Sequence, residues 1–97
     1  MGREILNDLR IQIDENDVAL VSIISKRIEL VKKVGILKKE NKIIPLDQNR
    51  WDKVIKNRIE IGRKLGLSEK LILDIFERLH EESLTIESQI IEEINDL

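Results

Sequence analysis

The feature that most constrains this chain is a long stretch without a strong helix breaker. From about Arg3 to Asn41 nothing interrupts a helical pattern, and apolar residues recur at spacings of three, four and seven: Leu6, Leu9, Ile13, Leu20, Ile24, Val31 and Val34. This spacing is typical of one face of an α-helix. Gly35 costs about 1 kcal/mol relative to Ala but does not end a long helix alone. The sole proline, Pro45, biases Ile44 away from the helical region and predicts the end of the helix.

Two further helices are predicted after this break. Asp47 is a candidate N-cap, Gly66 a candidate C′ residue, and Ser68 a candidate cap for the last helix. Leu46 and Trp51 stand at the positions of a hydrophobic staple. We therefore expect an all-α fold in a single domain over residues 1–97, with helices long, short and long: about 3–42, about 48–65 and about 69–95.

The length of the first helix predicts a homodimer. A helix of about 40 residues is about 60 Å long, whereas a compact domain of this size has a radius of gyration near ~13 Å. Its apolar face needs cover along the whole length, which two shorter helices cannot supply. A second copy of the chain is the economical source, so we expect an intertwined helical-bundle homodimer.

Composition excludes several classes of function. Lys and Arg number 17 and Asp and Glu 19, a balance that argues against a nucleic-acid partner. The chain has no cysteine and one histidine, His80, which argues against a metal site and a thiol nucleophile. No apolar run is long enough to span a membrane, and no leader is visible, so we expect a cytoplasmic protein without membrane partners.

Charged and polar residues interrupt the apolar faces. Arg27 and Lys38 lie 11 residues apart, about three turns, so they share the face of the first helix that is otherwise apolar. Ser83 and Glu87 are i,i+4 neighbours on the apolar face of the last helix. These residues also have purely structural explanations. The two cations could extend their charged ends to water, and the serine could donate a hydrogen bond to its own helix backbone. Together the four residues predict a polar pocket within a helical bundle.

Arg10 and Arg50 are less easily placed. Arg10 is about 25 Å from Arg27 along the helix, so it would reach a pocket only in a partner chain, or else is an exposed surface residue. Arg50 lies in the first turn of the second helix, where a cation opposes the helix dipole. Arg50 is therefore either a solvated surface charge or a residue that binds a ligand.

The chain resembles the all-helical chorismate mutases (AroQ class, type II). The matching strings are LRIQIDENDVALVSIISKRIELVKKVGILKKE, IPLDQNRWDKV and GLSEKLILDIFERLHEES, which fall within about residues 5 to 91. Each piece is weak by itself, but the order and spacing of the polar residues among them are specific. The resemblance implies a dimer with two equivalent sites that convert chorismate to prephenate in Phe and Tyr biosynthesis, without a cofactor or a metal.

The resemblance also implies roles for individual residues. Lys38, Glu87 and Arg27 would be catalytic and would also bind the substrate. Lys38 and Glu87 would donate to the ether oxygen of chorismate, Lys38 would also donate to a carboxylate, and Arg27 would hold a carboxylate. Arg10 would cross the dimer interface to bind the other carboxylate. Substrate binding would be completed by residues that orient the ring hydroxyl or support the site, namely Asp47, Arg50 and Ser83.

The implied reaction suits a chain with few reactive side chains. A unimolecular pericyclic rearrangement needs a folded conformer of the substrate and positive charge at the breaking C–O bond, and no nucleophile. An ionised Glu87 could only accept hydrogen bonds, so it must be protonated to assist the ether oxygen. We therefore expect the rate to fall as pH rises and Glu87 ionises.

One departure from the family pattern leaves alternatives open. Trp51 stands where many members carry a glutamate that contacts the substrate hydroxyl. An aminodeoxychorismate mutase is therefore an alternative. An isochorismate pyruvate-lyase is another, although relatives with that activity tend to lack the residues found here as Asp47 and Ser83. A non-catalytic helical dimerisation module would explain the apolar faces but not the polar residues that interrupt them.

Overall fold

The protein is all-α, as the sequence predicts. A computed structural model describes the backbone of residues 1–95 and the side chains of residues 1–93. The chain forms α1 (Gly2–Glu40), α2 (Gln48–Lys64) and α3 (Glu69–Asn95), of 39, 17 and 27 residues. No strand occurs in this part of the chain. The predicted fold class, three helices in the order long, short and long, is confirmed.

Helix α1 ends at Glu40 in a motif that the sequence did not indicate. Lys42 adopts a left-handed backbone conformation with φ of 56°. Its amide donates to the carbonyl of Lys39 at 3.2 Å, and the amide of Ile43 donates to the carbonyl of Lys38 at 2.7 Å. This pair of bonds is a Schellman motif, in which glycine usually takes the left-handed position. The helix thus stops two residues before its predicted end because the carbonyls of its last turn are already satisfied.

Side-chain caps and a glycine delimit the other two helices. The carboxylate of Asp47 accepts a hydrogen bond from the amide of Arg50 at 3.0 Å at the start of α2. The hydroxyl of Ser68 accepts one from the amide of Leu71 at 3.1 Å at the start of α3. Gly66 has φ of 78° and completes a second Schellman motif after α2. These three residues act as the sequence predicts, because capping depends on local chain geometry alone.

The chain divides into two units, of which the first is Met1–Leu30. This unit contains the first 29 residues of α1, and none of its residues is buried. Its large apolar side chains are widely exposed, among them Ile5, Leu6, Leu9, Ile11, Ile13, Val18, Leu20, Val21, Ile23 and Leu30. A monomeric protein rarely exposes apolar surface this extensive.

The second unit begins at Val31 and holds the end of α1 together with α2 and α3. Its buried apolar side chains are Val54 and Ile72, among the residues described. A Cβ atom on Gly62 would lie 2.6 Å from Cγ1 of Ile72, so glycine allows α2 to approach α3 closely. The guanidinium of Arg58 lies 6.0 Å from the centre of the Phe76 ring, at the limit of a cation–π contact. No described helix is long and apolar enough to cross a membrane.

Candidate active site

Lys38 and Glu87 form the centre of the candidate site. Lys38 lies in the last turn of α1, and its Nζ atom is 2.7 Å from Oε1 of Glu87 on α3. The two side chains are 18% and 7% exposed, so this is a largely buried ion pair. Lys38 also donates a hydrogen bond to the carbonyl oxygen of Pro45, which ties the loop before α2 to the end of α1.

The Glu87 carboxylate is close to a cation without accepting a well-directed hydrogen bond. Oε1 is buried and accepts no hydrogen bond from the residues described, although Nζ of Lys38 lies 2.7 Å away. The two observations agree if the contact is an ion pair whose angle is unsuited to a hydrogen bond. Buried polar atoms are usually satisfied, so this oxygen depends on the nearby ammonium of Lys38 for its stabilisation.

Ser83 lies one turn before Glu87 on the same face of α3 and is buried. Its hydroxyl donates to the carbonyl oxygen of Leu79 at 2.8 Å, which is the backbone hydrogen bond considered from sequence. The oxygen of a donating hydroxyl still carries lone pairs that accept hydrogen bonds. Ser83 can therefore serve both its own helix and a polar neighbour.

Asp47 and Arg50 lie at the start of α2, close in sequence to the carbonyl that Lys38 contacts. Asp47 is exposed and uses one carboxylate oxygen to cap the amide of Arg50. The side chain of Arg50 is exposed. Because Pro45 is only two residues before Asp47, the hydrogen bond from Lys38 couples the position of this cap to the end of α1.

Trp51 makes a contact that sequence reasoning did not find. Its ring stacks on the imidazole of His80, with centroids 3.9 Å apart and planes at 9°. Trp51 directly follows Arg50 on α2, and His80 is three residues before Ser83 and seven before Glu87 on α3. Both spacings place His80 on the helix face that carries the polar residues, which is the signal that could have indicated it.

The two remaining predicted residues, Arg10 and Arg27, lie in the first unit of the chain. Arg10 is exposed, whereas Arg27 is half-buried and already interacts with another group. The second unit contains the others: Lys38, Asp47, Arg50, Ser83 and Glu87.

A cavity of about 600 Å³ opens beside Lys38, lined by residues from the end of α1, the following loop and α3: Lys38, Lys39, Glu40, Lys42, Ile43, Ile44, Pro45 and Ile91. The charged residues of this lining are three lysines and one glutamate. Lys39 donates to the carbonyl oxygen of Ile90 on α3 at 2.7 Å. The cavity therefore combines ammonium groups with apolar walls, and Lys38 is the one predicted site residue among those that line it.

The sequence profile of the type II chorismate mutases matches residues 9–88. The chain belongs to the type II chorismate mutase family. All the predicted site residues, from Arg10 to Glu87, lie inside the matched range, so the resemblance proposed from sequence is confirmed.

Two relatives carry the name T-protein. The chain is 35% identical over 86 residues to the T-protein of Haemophilus influenzae, which covers 89% of this chain and 23% of that protein. It is 35% identical over 83 residues to the T-protein of Enterobacter agglomerans, covering 86% of this chain and 22% of the relative. The chain thus spans less than a quarter of the length of these relatives. No solved structure gives a significant match.

Proposed function

We propose that this protein catalyses the rearrangement of chorismate to prephenate. The observation that carries the proposal is the buried contact between Lys38 and Glu87 in a member of the chorismate mutase family. In this rearrangement the ether C–O bond breaks while a C–C bond forms within the same molecule. Negative charge develops on the ether oxygen, so a cation and a hydrogen-bond donor placed beside it lower the barrier.

Lys38 and Glu87 are the two groups proposed to act at the ether oxygen. Lys38 supplies positive charge and N–H donors, and Glu87 supplies an O–H donor in its protonated form. The 2.7 Å between Nζ and Oε1 supports this assignment, because two groups this close can both reach one atom. An ionised Glu87, as in the ion pair with Lys38, would repel the developing charge. Activity is therefore proposed to require that Glu87 is protonated when chorismate is bound.

The remaining polar residues are proposed to hold the substrate in its reactive conformer. Arg27 and Arg10 would bind the two carboxylates, and Asp47 would orient the ring hydroxyl. Arg50 and Ser83 would support these contacts. Holding a substrate in a near-attack geometry can contribute several kcal/mol, on the order of 7 or more. This mechanism uses no cofactor and no metal.

The protein is further proposed to act as a homodimer in which Arg10 serves the site of the partner chain. The exposed apolar side chains of residues 2–30 support this proposal, because a second copy would bury those on one face of the helix, such as Leu9, Ile13 and Leu20. Obligate homodimer interfaces are larger and more apolar than transient ones, as an extended apolar helix face would provide. Dimerisation would then be a condition for turnover as well as for stability.

The test is a spectrophotometric assay of chorismate depletion, with isochorismate and 4-amino-4-deoxychorismate as parallel substrates. We expect turnover of chorismate above both analogues. Arg27→Ala should abolish turnover while the helical content and the dimer persist, and Lys33→Ala, an exposed lysine on the same helix, is the matched control. A protein inactive on chorismate at every pH from about 4 to 8 would contradict the proposal, and a preference for either analogue would reassign the substrate.

A further inference from the structure

Helix α1 approaches α3 closely at Gly35. Gly35 is buried, and a Cβ atom at this position would lie 3.3 Å from Cα and 3.4 Å from Cγ of Glu87. It would also lie 3.0 Å from Cδ1 of Ile90. The first contact is with the backbone of α3, which cannot rotate away as a side chain can. Glycine is less favourable than alanine inside a helix, so its presence here needs a packing or functional reason.

The residue of α3 whose backbone lies against Gly35 is Glu87, which also pairs with Lys38. Lys38 is three residues after Gly35, so the two share a face of α1. The closeness of the helices at Gly35 therefore sets how near the Lys38 ammonium comes to the Glu87 carboxylate. Lys39, in the same turn, fixes the approach further through its hydrogen bond to the carbonyl oxygen of Ile90.

We propose that Gly35 is a positioning residue for the mutase reaction, which sets the distance between Lys38 and Glu87 by letting the two helix backbones meet. The inference rests on the proposed function, since it gives Gly35 a role only if these two groups act on the substrate. Gly35 itself carries no group that touches the substrate. Its effect is on the geometry of the pair at the ether oxygen, and therefore on turnover more than on binding.

The experiment compares Gly35→Ala with the wild-type protein in chorismate turnover. The added methyl group forces α1 and α3 apart by about a few tenths of an ångström, and misplacement on the order of 1 Å can cost about a hundredfold in rate. We expect kcat to fall about threefold to tenfold while KM stays close to its wild-type value, because the carboxylate-binding arginines are unchanged.

Two further variants separate positioning from packing. Gly62→Ala introduces a tighter contact, 2.6 Å to Ile72, at a point of α2 that holds no site residue. It should lower the thermal midpoint and leave kcat unchanged. The double variant Gly35→Ala with Ile90→Ala removes the contact to Cδ1 but keeps the contact to the backbone of Glu87. It relieves this side-chain clash without restoring the position of the Glu87 backbone, so kcat should remain low. It is the variant to assay if Gly35→Ala alone does not fold.

The outcomes are distinct. A wild-type kcat in folded Gly35→Ala, or a kcat that recovers together with stability in the double variant, would overturn the positioning role alone. A wild-type protein without turnover of chorismate would overturn the proposed function and this inference with it. A reduced kcat with an unchanged KM in both Gly35→Ala variants, beside an active Gly62→Ala protein, supports the inference.

Discussion

Replacing Leu20 with Ala should weaken the proposed dimer. Leu20 lies seven residues before Arg27, on the same face of α1, and it is 56% exposed in the single chain. The truncation removes three carbon atoms, each of which contributes about 0.8 kcal/mol when buried. Because about half of the side chain is still available for burial, the loss is about 1.3 kcal/mol per chain.

Twofold symmetry doubles this loss, since the same residue is removed from both sides of the interface. The dimer of Leu20→Ala should therefore be weaker by about 2.6 kcal/mol, which is roughly 80-fold in Kd. Val18→Ala is the control: Val18 is 70% exposed and lies about 160° from Leu20 around the helix. Its replacement should change Kd by less than about twofold.

Sedimentation equilibrium over a range of concentrations measures both constants. Turnover recorded at the same concentrations shows whether activity follows the dimer, as it should if Arg10 serves the partner's site. A monomeric wild-type protein, or a Leu20→Ala protein with an unchanged Kd, would refute the assignment of this face to the interface.

Three further predictions concern folding and are read from chemical or thermal denaturation. Lys42→Gly should stabilise the protein by about 1 kcal/mol, because the left-handed conformation of Lys42 is strained for a residue with a Cβ atom; an unchanged midpoint would show that the strain is absent. Ser68→Ala should destabilise it by about 1 kcal/mol through loss of the cap at Leu71, whereas a Ser68→Asp control should fold normally. Gly62→Ala should cost about 1 to 3 kcal/mol through overpacking against Ile72, and a neutral result would mean that α2 and α3 separate freely.

The fold was predictable from sequence to the extent that local interactions determine it. Asp47, Gly66 and Ser68 end or begin helices through contacts within a few residues, and their side-chain chemistry indicates this directly. Lys42 escaped prediction because glycine usually takes the left-handed position after a helix, and lysine carries no signal for it.

The candidate site was predictable in part. Lys38 and Glu87 were identified because charged residues interrupted apolar faces, and the structure brings the two into contact. The stack of Trp51 on His80 was missed because it depends on the register of α2 against α3, which no single helix encodes. From sequence, Gly35 was expected only to destabilise the helix. Its advantage depends on the packing of α3, because a Cβ atom at position 35 would lie 3.3 Å from Cα of Glu87.

The most direct test of the central claim is the pH dependence of chorismate turnover in the wild-type protein and in Glu87→Gln. A glutamine donates a hydrogen bond at every pH, whereas a glutamate does so only when it is protonated. The account predicts that the wild-type rate falls as pH rises and that the Glu87→Gln profile is flat. Glu92→Gln, at an exposed position of α3, should retain the wild-type profile. A flat wild-type profile, or an unchanged slope in Glu87→Gln, would contradict the claim that Glu87 donates to the ether oxygen.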